Sequence, residues 1–176
     1  MATDTLTARN RMAGRGSRYA GRKHGHRLLL GLHTTEEPLD LLARLHELLG
    51  GSVEDDQLVD VPGLLVTVRA VDPAEKAPGV NEDEHVPATV VVTFSSFGGE
   101  EEDGRLRAGW QVFVASANLA VDLDRDALLT FNFDIACMRR RGQTLELFDH
   151  WKGRQEPWVL ERLPPGYVLS EDLPRY

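Results

Sequence analysis

Residues Leu64–Val71 place Leu64, Val66, Val68 and Ala70 on one side of an extended chain and Leu65, Thr67, Arg69 and Val71 on the other. That two-residue period is the repeat of a β-strand, and it ties this part of the chain to a sheet. Pro62-Gly63 turns the chain just before it, and Gln57–Val61 reads as a preceding strand. The β-branched run Ala88–Phe97 and the segment Leu106–Ser116, with Trp110, Val112 and Val114 on one face, extend the pattern to an antiparallel meander. Asp72–Pro87 reads as a long polar loop, and Gly98–Gly104 as an acidic hairpin loop.

Helical spacing interrupts this β pattern twice. Thr34 and Glu37 form a capping box, Pro38 suits a first turn, and Leu41, Leu45 and Leu48 with Leu42 and Leu49 make one apolar stripe. Gly50-Gly51 stops it, which predicts a helix over Leu39–Leu49. A second helix is expected over Asp124–Ala136, with Leu128, Phe131 and Ile135 inward, Asp122, Asp124 and Asp126 at its positive end and Arg139–Arg141 past its negative end. Arg27–His33 reads as a buried strand or a helix, Gln143–Phe148 as a strand, and Trp158–Leu163 as a strand or short extended piece. The expected fold is α+β, an antiparallel sheet of about four to six strands packed against two helices.

At 176 residues and 41% hydrophobic content, the chain suits one domain with a real core. The expected division is a flexible basic arm over 1–26, a single domain over 27–163 and an extended tail over 164–176 opened by Pro164-Pro165-Gly166. The arm is a matter of charge. Residues 1–27 hold six arginines and one lysine against Asp4, about +6, so the remainder carries about −14 of the net −8. Its scattered glycines and aperiodic apolar residues bury too little surface to order it alone. Arg9, Arg11, Arg15, Arg18, Arg22, Lys23 and Arg27 are therefore candidates for contact with an acidic protein surface or nucleic-acid phosphates, beside the plainer role of a solvated tail.

The motifs that carry chemistry are weak here. Asp122, Asp124 and Asp126 match the start of a calcium loop, but Ala127 stands where glycine is needed and Phe133 where the bidentate glutamate belongs. His24, His26 and His33 hold a metal only if the arm folds onto them. Cys137 has no histidine before it, and Gln143 takes the arginine position of a phosphatase loop, so a buried structural thiol is expected. No G-x-S-x-G, P-loop, dinucleotide fingerprint or H-E-x-x-H occurs, and a non-enzymatic protein without cofactor or metal is expected. The acid clusters Glu82–Glu84 and Glu100–Asp103 read as solubilising loops. Trp151 and Trp158 flank a polar segment and are candidate interface anchors, against core packing.

A lone cysteine points to a reducing, cytoplasmic setting or an intracellularly assembled particle. The longest apolar runs, Arg27–Leu32 and Ala88–Phe94, are far below the roughly 20 residues of a membrane span. The order of elements resembles small type III secretion chaperones and the YbjN-like proteins. The helix Leu39–Leu49, the meander Leu64–Ser116 and the segment Leu128–Phe148, where Leu-Thr-Phe-Asn-Phe-Asp-Ile-Ala turns into Gln-Thr-Leu-Glu-Leu-Phe, carry that likeness. The resemblance implies a non-enzymatic, often dimeric protein that binds an extended partner segment. The long Asp72–Pro87 loop, the arm and the tail depart from it. The expected function is thus a self-associating adaptor or chaperone-like module. A structural subunit of a large assembly such as a phage particle and a nucleic-acid-associated protein stand as alternatives.

Overall fold

The computed structural model describes residues 24–72, 87–97, 102–132, 135–148 and 157–170. Along the chain run β1 (His24–Leu32), α1 (Pro38–Leu49), β2 (Ser52–Glu54), β3 (Gln57–Val61), β4 (Leu64–Ala70) and β5 (Val90–Phe97). They are followed by α2 (Glu102–Asp122), β6 (Ala127–Phe131), β7 (Ile135–Arg141), β8 (Thr144–Phe148), α3 (Pro157–Arg162) and β9 (Val168–Ser170). The fold is α+β as expected, but the sheet is larger and mixed. Among the described residues nine strands lie in the order β2-β3-β4-β5-β1-β6-β7-β8-β9, every pairing antiparallel except β8–β9, and three helices accompany them.

The first strand holds the centre. Leu28, Leu30 and Leu32 pair with Phe94, Val92 and Val90 of β5 on one side, and with Phe131, Leu129 and Ala127 of β6 on the other. These residues point to the face that α1, α2 and α3 cover, where they join one core with Leu41, Leu42, Leu45, Phe113 and Val159. Each fully buried leucine there contributes on the order of 2 kcal/mol of apolar transfer. The other face of the sheet carries a smaller cluster of Leu128, Ala136 and Phe148. Because both faces bury apolar groups, Leu28, Leu29 and Leu30 can follow one another in a strand.

Two expectations fail for the same reason. Leu106–Ser116 is not a strand but part of α2, a 21-residue helix whose Ala108, Trp110, Val112, Phe113, Ala115, Ser116, Ala117, Leu119 and Ala120 are all buried. A helix enclosed on most of its sides loses the amphipathic period, and its inward residues then mimic alternation. The reverse error falls on Asp124–Ala136, expected as a helix but built into the strands β6 and β7. Leu128, Phe131 and Ile135 share a helical spacing, yet in β6 four successive residues, Ala127, Leu128, Leu129 and Thr130, are buried from both faces.

Smaller corrections concern the ends of elements. The capping box does not form, since Glu37 is the N-cap without a side-chain bond while Thr34 Oγ1 accepts from the Glu36 N–H at 3.1 Å. Trp158–Leu163 is helical over Pro157–Arg162, and within the segment expected as an extended tail β9 pairs with β8. Asp122, Asp124 and Asp126 sit at the C-terminal end of α2 rather than at a helix start, where their charge opposes the dipole. Of the loops expected over Asp72–Pro87 and Gly98–Gly104, residues 73–86 and 98–101 lie outside the described residues, while Glu102–Gly104 is helical as the start of α2.

Candidate interaction surface

Only part of the site expected from sequence lies in the described structure. Arg9, Arg11, Arg15, Arg18, Arg22, Lys23 and Trp151 lie outside the described residues. Arg27 is half-buried in β1, its backbone N–H donating to Asn132 Oδ1 at 3.1 Å and its carbonyl accepting from the Asn132 N–H at 2.7 Å. Trp158 packs on the core as a half-buried residue of α3, with the Arg162 guanidinium 5.6 Å from its ring centre. Trp110, placed on a strand by its pattern, is buried in α2 with its ring edge-on to Phe113.

The histidines do not converge either. His26 lies against the Phe131 ring, centroids 5.0 Å apart, while His33 Nδ1 is 2.7 Å from the Pro87 carbonyl oxygen at the other end of β1. Seven residues of extended chain separate them by about 23 Å. Among the described residues no three His, Cys, Asp or Glu side chains gather as metal ligands would. Cys137 is fully buried at the β6–β7 register shift, its thiol 3.5 Å from the Ile135 carbonyl oxygen. No helix among the described residues is long and apolar enough to cross a membrane.

What the topology does assemble is charge, sorted to the two ends of the sheet. At the β7–β8 end, Arg139 Nε and Nη2 both lie 2.6 Å from Glu146 Oε2, and its guanidinium sits 5.7 Å from the Phe148 ring centre. Arg140 is nearly fully buried on the helix side. Its Nη2 reaches Asp124 Oδ1 at 2.6 Å and its Nη1 donates to the Arg125 carbonyl at 2.8 Å. Asp126 Oδ1 accepts from the Gly142 N–H at 2.8 Å, so the α2–β6 and β7–β8 turns are clasped together.

The opposite end is built differently. Residues 33–68 carry Glu36, Glu37, Asp40, Glu47, Glu54, Asp55, Asp56 and Asp60 against Arg44 alone. Arg44 lies 3.6 Å from Glu36, and among the described residues this is the ion pair found there. Strand β2 is the sheet's edge, and all three of its residues are exposed. Helix α1 packs beside it through a buried stripe of Leu41, Leu42 and Leu45, and this leaves Leu39 and Leu48 outside. Leu48 and Val53 are 41% and 45% exposed, so apolar groups stand in the midst of the carboxylates. Unneutralised charge, exposed apolar side chains and an unpaired strand edge are together the makings of a binding face.

A protein-family comparison bears on this arrangement. The model of the SitI3-like family matches residues 29–156, from β1 past β8. The chain belongs to the SitI3-like family. The match spans α1 and β2–β3 and stops short of α3 and β9. Comparisons with curated proteins and with solved structures give no match. The comparisons show no link to the type III secretion chaperones or the YbjN-like proteins. Part of what carried that resemblance, the supposed helix ending in Leu-Thr-Phe-Asn-Phe-Asp-Ile-Ala, falls in strands β6 and β7.

Proposed function

We propose that this protein acts as a stoichiometric binding protein of the immunity type, holding a protein partner inactive by direct contact rather than by catalysis. Membership of the SitI3-like family is the observation that carries the proposal. The surface chemistry supports it, because a compact sheet-and-helix body with an uncompensated charged end suits recognition of a complementary protein. Asp124 and Asp126 find a structural use on this reading, tying turns to Arg140 of β7 and to Gly142. In the same way Cys137 serves as a small apolar filler of the core.

Co-expression tests the proposal. The full chain is produced together with the product of each gene encoded beside its own. One neighbour is expected to arrest growth when expressed alone, to be tolerated when the chain is present, and to co-purify with it in equal amounts. If no neighbour is toxic, or if toxicity persists with the chain in excess, the immunity reading is wrong.

A further inference from the structure

From the geometry of the acidic end we infer that α1 and the β2–β3 hairpin form the docking face, and that its occupant is a basic protein surface, rich in arginine or lysine around an apolar contact. This rests on the proposed binding function and specifies where the partner sits and what it looks like.

Three independent features meet there. The first is charge: residues 33–68 hold eight carboxylates against one arginine, whereas Arg139 and Arg140 of β7 have carboxylates of their own chain beside them. Side chains of Asp40, Glu47, Glu54, Asp55, Asp56 and Asp60 are exposed, so their field reaches solvent. Exposed charges of one sign give this surface a negative potential, which favours a cationic partner.

The second feature is apolar. Leu48 in the last turn of α1 and Val53 in the middle of β2 are exposed on either side of the Gly50-Gly51 turn. Solubility alone favours polar residues at such positions, whereas a partner that buries them gains apolar transfer energy.

The third feature is the edge itself. β2 pairs with β3 through Ser52–Val59, Val53–Leu58 and Glu54–Gln57, so its other side offers backbone donors and acceptors to an incoming segment. At three residues the edge is too short to hold a strand alone, and the carboxylates would steer away any segment that is not basic. The far edge, β9, shares the shortness and the exposed apolar residues, Val168 and Leu169, without the massed charge. Charge therefore selects the β2 end.

The probe is a short fluorescein-labelled peptide alternating arginine and valine, with binding to the full chain followed by fluorescence anisotropy. Two double variants remove equal charge at exposed positions: Glu47→Gln with Asp56→Asn inside the face, and Asp122→Asn with Glu161→Gln outside it. The face variant is expected to weaken binding about tenfold and the outside variant by less than about twofold, with the wild-type affinity falling as salt rises. Adding Val53→Ser to the outside variant should weaken it further at high salt, where the apolar contact dominates. Equal losses from both double variants, or none from either, would overturn the inference.

The growth assay separates this from the function proposed above. A toxic neighbour that the face variant still neutralises and binds as tightly as wild type leaves the immunity reading intact and removes this face from it. A wild-type chain that protects against no neighbour sinks the immunity reading, and the peptide comparison then decides the face alone.

Discussion

At the β7–β8 end of the sheet Arg139 and Arg140 each find a carboxylate at 2.6 Å, while at the β2 end eight carboxylates share a single arginine. The first end spends its charge on the fold: the Arg140 clasp holds two turns, and Arg139 lies between Glu146 and the Phe148 ring. The second end is held by backbone geometry and by the apolar stripe of α1, and leaves its charge facing outward. Charges that are paired and half-buried support structure, whereas exposed like charges contribute nothing to it and remain for recognition. Substitutions at the two ends should therefore separate stability from binding.

The largest expected loss lies at the turn that starts β2. Gly51 has φ near +90°, and a Cβ there would run into the Val59 carbonyl oxygen and the Val61 side chain. Since a backbone atom blocks it, Gly51→Ala should cost about 3 kcal/mol of unfolding free energy in urea titration. A loss below roughly 1 kcal/mol would mean that β2 is not anchored by this turn. Next comes the clasp. Arg140→Ala removes the donors to Asp124 and the Arg125 carbonyl and opens a void beside Ala127 and Leu145, for about 2 kcal/mol. The Asp124 side chain is 77% exposed, so water re-solvates it and the cost stays below that of a wholly buried pair. Asp124→Asn should accordingly cost less than Arg140→Ala, and the reverse order would refute the clasp. The Arg139–Glu146 pair is smaller still: a double-mutant cycle with Arg139→Ala and Glu146→Ala should give a coupling of about 0.5 kcal/mol that shrinks with salt.

The same contrast explains what could be read from the chain in advance. Strand β4 and helix α1 show their periods because one face of each meets solvent or a polar neighbour: Arg69 on β4 and Arg44 on α1 are exposed across from buried Val66 and Leu45, whereas β5, buried on both faces, is legible from its β-branched run. Helix α2 and strand β6 hide theirs because neighbours surround them, and Ala108, Ala115, Ala117 and Ala120 were the remaining helical signal. Short β2 and β9 have three residues each, too few for any period. The charge was legible differently. The basic arm and the two tryptophans draw attention because each is conspicuous locally in sequence. The acidic face is divided between a helix and a hairpin, and only the placement of β2 at the sheet edge beside α1 brings its members together.

The smallest expected effect tests the comparison most sharply. Glu47, Glu54 and Asp56 are exposed, and among the described residues they have no ion pair. Neutralising all three as Glu47→Gln, Glu54→Gln and Asp56→Asn should leave unfolding free energy within about 0.5 kcal/mol of wild type. Any change should be upward, because three of the eight carboxylates of residues 33–68 are gone. The sign carries the argument. A clear loss of stability would show that these carboxylates hold the fold as Asp124 and Glu146 do, and the two ends would then differ only in degree. An unchanged or higher stability, with partner binding lost, is what a surface kept acidic for recognition requires.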